Sequence, residues 1–268
     1  MATNEQTNTL RRLVMRVGKG SLMFTTTDDQ SQVVFEPYQI NSSITMAANL
    51  REALHTSDLL KGTYQQTLVM VDSPVLMVPT DLFREEERTE LYFHAFTKKA
   101  QQIVKHIVLP DLNSVALFCI DKDLLTVIKD RLPQPSIVAA MVSVWHHLHQ
   151  RSYTGTRQKL YGYFHDRLME VFSFNKNRFI FCNTYTVNNS NNALYFLLSV
   201  WKQLGMEPEH DELHLVGDLP DEEALLDEAH RFIKRVFYIN PSGEFNRSPI
   251  TRMDGMPYDM MTLYVKGK

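Results

Sequence analysis

The chain has 268 residues, of which 44% are hydrophobic and 22% charged, and its formal net charge is −3. That size allows two lobes with real cores, and that balance suits a soluble globular protein. The small negative charge excludes any global electrostatic drive toward nucleic acid or anionic lipid.

The start of the chain (MATNEQTNTLRR) is polar, and residues 1–9 are read as a frayed tail without a signal segment. No apolar run reaches the roughly 18 residues of a membrane span, so the expectation is a cytoplasmic protein that does not insert into membranes. Strands are expected at 12–17, 21–27 and 32–37, the first two joined by the Gly-rich turn Gly18-Lys19-Gly20-Ser21. Thr45–Leu60 reads as a helix with Leu50, Ala53 and Leu54 on one face and Gly62 as its stop. Thr67–Pro79, broken at Ser73-Pro74, reads as two short strands or one bent strand. Thr80–Lys105, with its acidic opening REEERTE, reads as one helix or two. Ser114–Ile120 is a strand, and Asp121 an N-cap for a helix over Lys122–Leu132. Ser136–Gln150 starts as a strand and finishes as a helix.

Ser152–Thr156 (SYTGT) is the expected boundary between lobes. Strands follow at 158–165, 168–174 and 178–184, with turns at His165-Asp166 and Asn175-Lys176-Asn177. A helix over Asn189–Gln203, a strand at Glu212–Val216, a helix over Asp221–Arg235 and a strand at Val236–Ile239 complete the second half. Residues 240–268, punctuated by Pro and Gly, read as a tail on the surface. The domain expectation is a first lobe over 1–151 with an insertion at about 67–132, a second lobe over 152–240 and a tail over 241–268.

Several residue groups invite chemistry. Cys119 and Cys182 each sit in an apolar run and lack a CxxC-type partner, so both read as buried free thiols of a reducing compartment. His146, His147 and His149 crowd the end of one helix, but no HExxH or comparable metal pattern surrounds them, and no metal site is assigned. Glu207, Glu209, His210, Asp211 and Glu212 read as a solvated acidic loop. Asp72 reads as a turn residue, and Ser73 has no GxSxG context. GKGS at residues 18–21 is not a Walker loop, because the glycine spacing and the strand–loop–helix setting are absent. The Met-rich end (Met256, Met260 and Met261) is either packed on its own lobe or an exposed contact surface.

Hairpin, third strand, helix and strand, given twice with an insertion in the first copy, resembles the actin-like ATPase superfamily, in particular its pilus-assembly and cell-division branch. The chain also resembles an uncharacterised Bacteroidetes family of unknown function assigned to that fold. The resemblance implies an α/β, two-lobed actin-like (ribonuclease-H-like) fold with a small inserted subdomain in the first lobe. It also implies a nucleotide cleft built from three motifs. Where the first phosphate loop has Asp-x-Gly, this chain has Arg16-Val17-Gly18, with Gly20-Ser21 following. Where the second has Asp-x-Gly, the nearest match is Tyr163-Phe164-His165, with Asp166 one step away. The Gly-Gly turn of the adenosine motif is reduced to Gly217-Asp218. Losing both carboxylates removes the oxygen ligands that orient Mg²⁺. The implied site residues are therefore Arg16, Gly18, Lys19, Gly20, Ser21, Asp166, Gly217 and Asp218, with no catalytic group, no metal and no cofactor. An anion on the Gly18–Ser21 amides remains open. The function implied is a non-catalytic scaffold for an unidentified protein partner. The alternative is a switch or weak ATPase that recruits ATP and Mg²⁺ through Lys19, Asp166 and Asp218.

Overall fold

The computed structural model describes residues 12–28, 30, 32–153, 155–176 and 178–264. The expected frayed tail, Thr154 in the expected boundary, Asn177 in the third turn and the last four residues of the chain lie outside the described residues. The chain divides into two units, one comprising residues up to Asp72 with Ile120–Val138, the other Ser73–Cys119 with Ala139 onward. The segment 152–156 lies inside the second unit.

In the first unit, β1 (Arg12–Val17), β2 (Leu22–Thr27) and β3 (Val33–Tyr38) form an antiparallel meander. The next strand, β4 (Gln66–Val71), lies parallel to β1, and β8 (Pro135–Ala139) completes the sheet order β3-β2-β1-β4-β8. Between β3 and β4 runs α1 (Met46–Thr56). Thr45 caps it by accepting from the Ala48 N–H at 3.2 Å. The helix stops at Ser57, earlier than the periodicity predicts, because the Ser57 hydroxyl takes the Leu60 N–H and starts a separate 3₁₀ turn over Leu59–Lys61. Buried Asn49 fixes the approach to α1, donating to the carbonyls of Asn41 and Thr45 and accepting the Asn41 N–H. Against α1 packs α3 (Lys122–Arg131), capped by Asp121 as the sequence predicts. Both β4 and α3, at the two ends of the stretch read as inserted, thus belong to the first unit.

The second unit holds two sheets. The smaller has the order β5-β7-β6, from β5 (Leu76–Pro79), β6 (Gln102–Leu109) and β7 (Ser114–Asp121), whose last two residues lead into the first unit. Its core of Val104, Val115, Leu117 and Cys119 packs on Tyr92 of α2 (Arg88–Ala95). The long helix expected over Thr80–Lys105 is therefore one short helix followed by a strand.

The larger sheet repeats the first unit's plan. β9 (Lys159–His165), β10 (Leu168–Asn175) and β11 (Arg178–Thr186) form the meander, and α5 (Ser190–Gln203) leads to β12 (Glu212–Gly217), parallel to β9. After α6 (Glu222–His230) comes edge strand β13 (Val236–Tyr238). One face of this sheet, carrying Leu160, Phe164, Met169, Val171, Leu213 and Leu215, packs on α5 and α6. Gly162 makes that approach possible, since a Cβ there would lie 3.0 Å from a Leu215 methyl. The opposite face carries an aromatic row in register across four strands: Phe237, His214, Tyr161 and Phe172, with neighbouring ring centroids 5.0–5.4 Å apart.

That second face meets α4 (Met141–Ser152) and the C-terminal segment, which is not a tail laid on the surface. It forms α7 (Pro241–Glu244), a 3₁₀ turn and α8 (Tyr258–Tyr264), and Met256, Tyr258, Asp259, Met260 and Met261 are buried. The Met-rich end is packed on its own unit. Glu244 ties this segment to α4. It accepts from His147 Nε2 (3.0 Å), from the Arg151 guanidinium and from the Tyr258 hydroxyl (2.8 Å).

Burial alone would raise the Glu244 pKa, but the His147 and Arg151 hydrogen bonds outweigh it and hold the carboxyl below its ordinary value of 4.5. A carboxylate with a depressed folded-state pKa stabilises the fold above the unfolded value and loses that contribution as the pH falls through the folded one. Glu244→Gln is expected to lower stability by on the order of 2 kcal/mol at neutral pH. In thermal unfolding followed from neutral to acid, the gap between wild type and variant should be full above pH 4.5 and close below it.

Candidate functional site

In an open parallel strand pair, ligand chemistry gathers beyond the carboxyl ends of the strands. The two units present these ends at the same register. Val17 of β1 pairs with Val71 of β4, and the Asp72 N–H donates to the Val17 carbonyl at 2.9 Å. Phe164 of β9 pairs with Gly217 of β12, and the Asp218 N–H donates to the Phe164 carbonyl at 3.0 Å. Asp72 is thus the first unit's counterpart of Asp218, and Arg16 the counterpart of Tyr163.

At the first unit's strand ends, Arg16 is 1% exposed, and its Nη2 lies 3.8 Å from an Asp72 carboxylate oxygen. A guanidinium this deeply buried requires an anion beside it, and Asp72 supplies one. The turn Gly18–Ser21 closes by a hydrogen bond from the Gly18 N–H to the Ser21 carbonyl at 2.9 Å, which engages one of the amides considered for an anion. Lys19 and Gly20 at its tip are exposed. Ser21 Oγ is buried without a hydrogen-bond partner among the described residues.

At the second unit's strand ends, the hairpin turn is Asp166-Arg167, one residue beyond the expected His165-Asp166. Both residues have positive φ (46° and 62°), as a two-residue type I′ turn demands. His165 remains in the strand, buried, with Nδ1 3.6 Å from Asp166 and Nε2 3.8 Å from Glu170. Tyr163 stacks on it at 4.7 Å and accepts the Asp259 N–H at 3.4 Å. Glu170 accepts the Thr184 hydroxyl at 2.8 Å. Gly217 has φ +96°, and a Cβ there would lie 2.1 Å from the Phe164 carbonyl oxygen, so only glycine fits. Asp218 follows, then Asp221, Glu222 and Glu223 at the start of α6.

Asp166, Gly217 and Asp218 therefore gather around the end of β9, while Arg16 and Gly18–Ser21 gather at the end of β1. Asp72 was read from the sequence only as a turn residue, and Glu170 was not singled out. Aligning the two βββαβ runs strand for strand would have placed Asp72 opposite Asp218. Glu170 carries no sequence signal apart from being a charged residue inside an apolar strand.

Cys119 is buried, and burial pushes its thiol up to about 11, whereas Cys182 is only half-buried as a residue, its packed thiol still raised well above 9.0. Neither is disulfide-bonded. Of the three histidines of α4, His147 turns to Glu244, while His146 and His149 line one pocket beside Asp111, His149 also meeting the Lys176 carbonyl at 2.6 Å. In the acidic loop, Glu207, Glu209 and His210 are exposed, while Asp211 accepts the N–H groups of Gln158 and Glu207. Among the described residues, no helix is long and apolar enough to cross a membrane.

A family model described as "Protein of unknown function (DUF3822)" matches residues 2–236. Comparison with curated proteins gives no match. Among solved structures, the chain is similar to a Bacteroides thetaiotaomicron protein described as having an actin-like ATPase fold and unknown function. The identity is 27%, the TM-score 0.83, and 95% of each chain is covered. It is also similar in fold to a structure described as the PilM–PilN type IV pilus biogenesis complex, at 9% identity and a TM-score of 0.55, over 87% of this chain and 89% of that one. The fold is that of the actin-like ATPases.

The Arg16–Asp72 pair generates a prediction. Asp72→Asn withdraws the carboxylate charge from a buried guanidinium and should cost on the order of 3 kcal/mol in urea unfolding. Replacing both partners, Arg16→Met with Asp72→Leu, should recover most of that loss.

Proposed function

The chain belongs to the DUF3822 family of unknown function, and from that premise we propose that it is a non-catalytic actin-like scaffold whose nucleotide site has been given up. The observation that carries this reading is the buried Arg16–Asp72 pair. By the resemblance to actin-like ATPases, the first phosphate loop needs a free carboxylate at residue 16 to orient Mg²⁺ and its waters. Here that position is a cation, and the Asp72 carboxylate lies 3.8 Å from it. Two further features support the reading. Tyr163 stands where the second carboxylate would, held by stacking on His165. The third loop runs Asp218, Asp221, Glu222 and Glu223, a concentration of negative charge that repels phosphates.

On this reading the protein works in the cytoplasm by holding a protein partner, with no bound cofactor and no use of nucleic acid or membrane. The same fold occurs in the PilM–PilN type IV pilus biogenesis complex, which fits an assembly role for a protein of this architecture.

The test is thermal unfolding with and without millimolar MgATP, beside MgADP and phosphate alone. A ligand at a hundred times its Kd stabilises the native state by about 2.7 kcal/mol, a shift of several degrees for a chain of this size. The expected result is no shift with any of them. A Mg²⁺-dependent shift with nucleotide, abolished by Asp166→Ala, would overturn the proposal in favour of a nucleotide switch.

A further inference from the structure

We propose that Asp111, His146 and His149 form a binding site for a divalent transition-metal ion of the zinc class. These side chains line one pocket of about 500 Å³ in the second unit, together with Pro110, Gln150 and Tyr153. His146 and His149 are three residues apart on α4, the spacing that puts two side chains on one helix face. Asp111 arrives from the 3₁₀ turn Pro110–Leu112 between β6 and β7, close enough to act electrostatically on His146.

His149 carries the argument. It is 4% exposed, and its ring is gripped between Tyr153 and Phe174, with centroids at 4.8 and 5.2 Å. Its Nε2 lies 2.6 Å from the Lys176 carbonyl oxygen, which can only accept. Nε2 therefore bears a proton, and in the neutral imidazole the lone pair is on Nδ1. A metal-binding histidine is held in this way, its second nitrogen donating to a backbone carbonyl that sets the tautomer and orients the ring. His147 lies off this face and is committed to Glu244, so it is not a ligand.

The ligand atoms of the three side chains are not all within 4.8 Å of one another. His146 and Asp111 are both exposed, and neither side chain makes a hydrogen bond to a described residue, so no competing bond holds either away from the His149 imidazole. Two imidazoles and one carboxylate select Zn²⁺ or Co²⁺ over Mg²⁺ or Ca²⁺, which prefer all-oxygen sets.

The experiment titrates the tag-free full chain with Co²⁺, followed by visible absorption, and with Zn²⁺, followed by calorimetry. One ion per chain is expected. His146→Ala and Asp111→Asn, both at exposed positions that leave the core intact, should each weaken binding at least tenfold. His94→Ala, an exposed histidine of α2, should leave it unchanged. No uptake, uptake insensitive to His146→Ala and Asp111→Asn, or an equal loss with His94→Ala would overturn the proposal.

Discussion

A buried guanidinium cannot stand without its carboxylate, and that constraint shapes the ends of β1 and β4. Arg16 lies inside a strand in which Leu13, Val14, Met15 and Val17 are buried apolar groups. The low dielectric that makes an unpaired charge so unfavourable there also makes its partner's position strict. Asp72 meets the requirement twice, with its side chain near Arg16 and its N–H on the Val17 carbonyl, so the charge pair and the parallel strand pairing end together.

The second unit ends the equivalent strand with Tyr163 stacked on buried His165, beside Asp166 and Glu170. Tyr163 stands at the residue equivalent to Arg16, and its face of the sheet is aromatic from β13 to β10. Burial holds Tyr161 protonated, with its pKa pushed up to about 12. At the margin of this face Glu244 gathers His147, Arg151 and Tyr258. One plan of strands has thus been completed by an ionic lock in one copy and by an aromatic layer in the other.

Most of this architecture was legible in the sequence, because the meanders, α3 and α5 announce themselves through β-branched runs, caps and apolar periodicity. Asp121 and Asn189 cap their helices as their residue types suggest. The failures have physical causes. In β6, the apolar residues Ile103, Val104, Ile107 and Val108 recur at helical intervals, because this edge strand is partly buried along both faces and need not alternate. The end of α1 moved because the Ser57 hydroxyl offered the backbone a competing bond. The C-terminal helices looked like surface tail because Pro and Gly interrupt them, and only their packing on α4 reveals them as core. At the candidate site, the odd residue at position 16 was visible in the sequence, but the carboxylate that neutralises it was not. Asp72 lies 56 residues away, and pairing across that distance is set by strand register.

The burial of α8 has a consequence for how the protein is made. Tyr258 and Met260 fill the face of a sheet whose first strand begins at Lys159, so a nascent chain carries that aromatic face uncovered while about a hundred further residues are added. Trp145 and Leu148 on α4 wait with it. Until residue 262 has been synthesised, the growing chain presents an apolar surface that α8 covers in the finished fold.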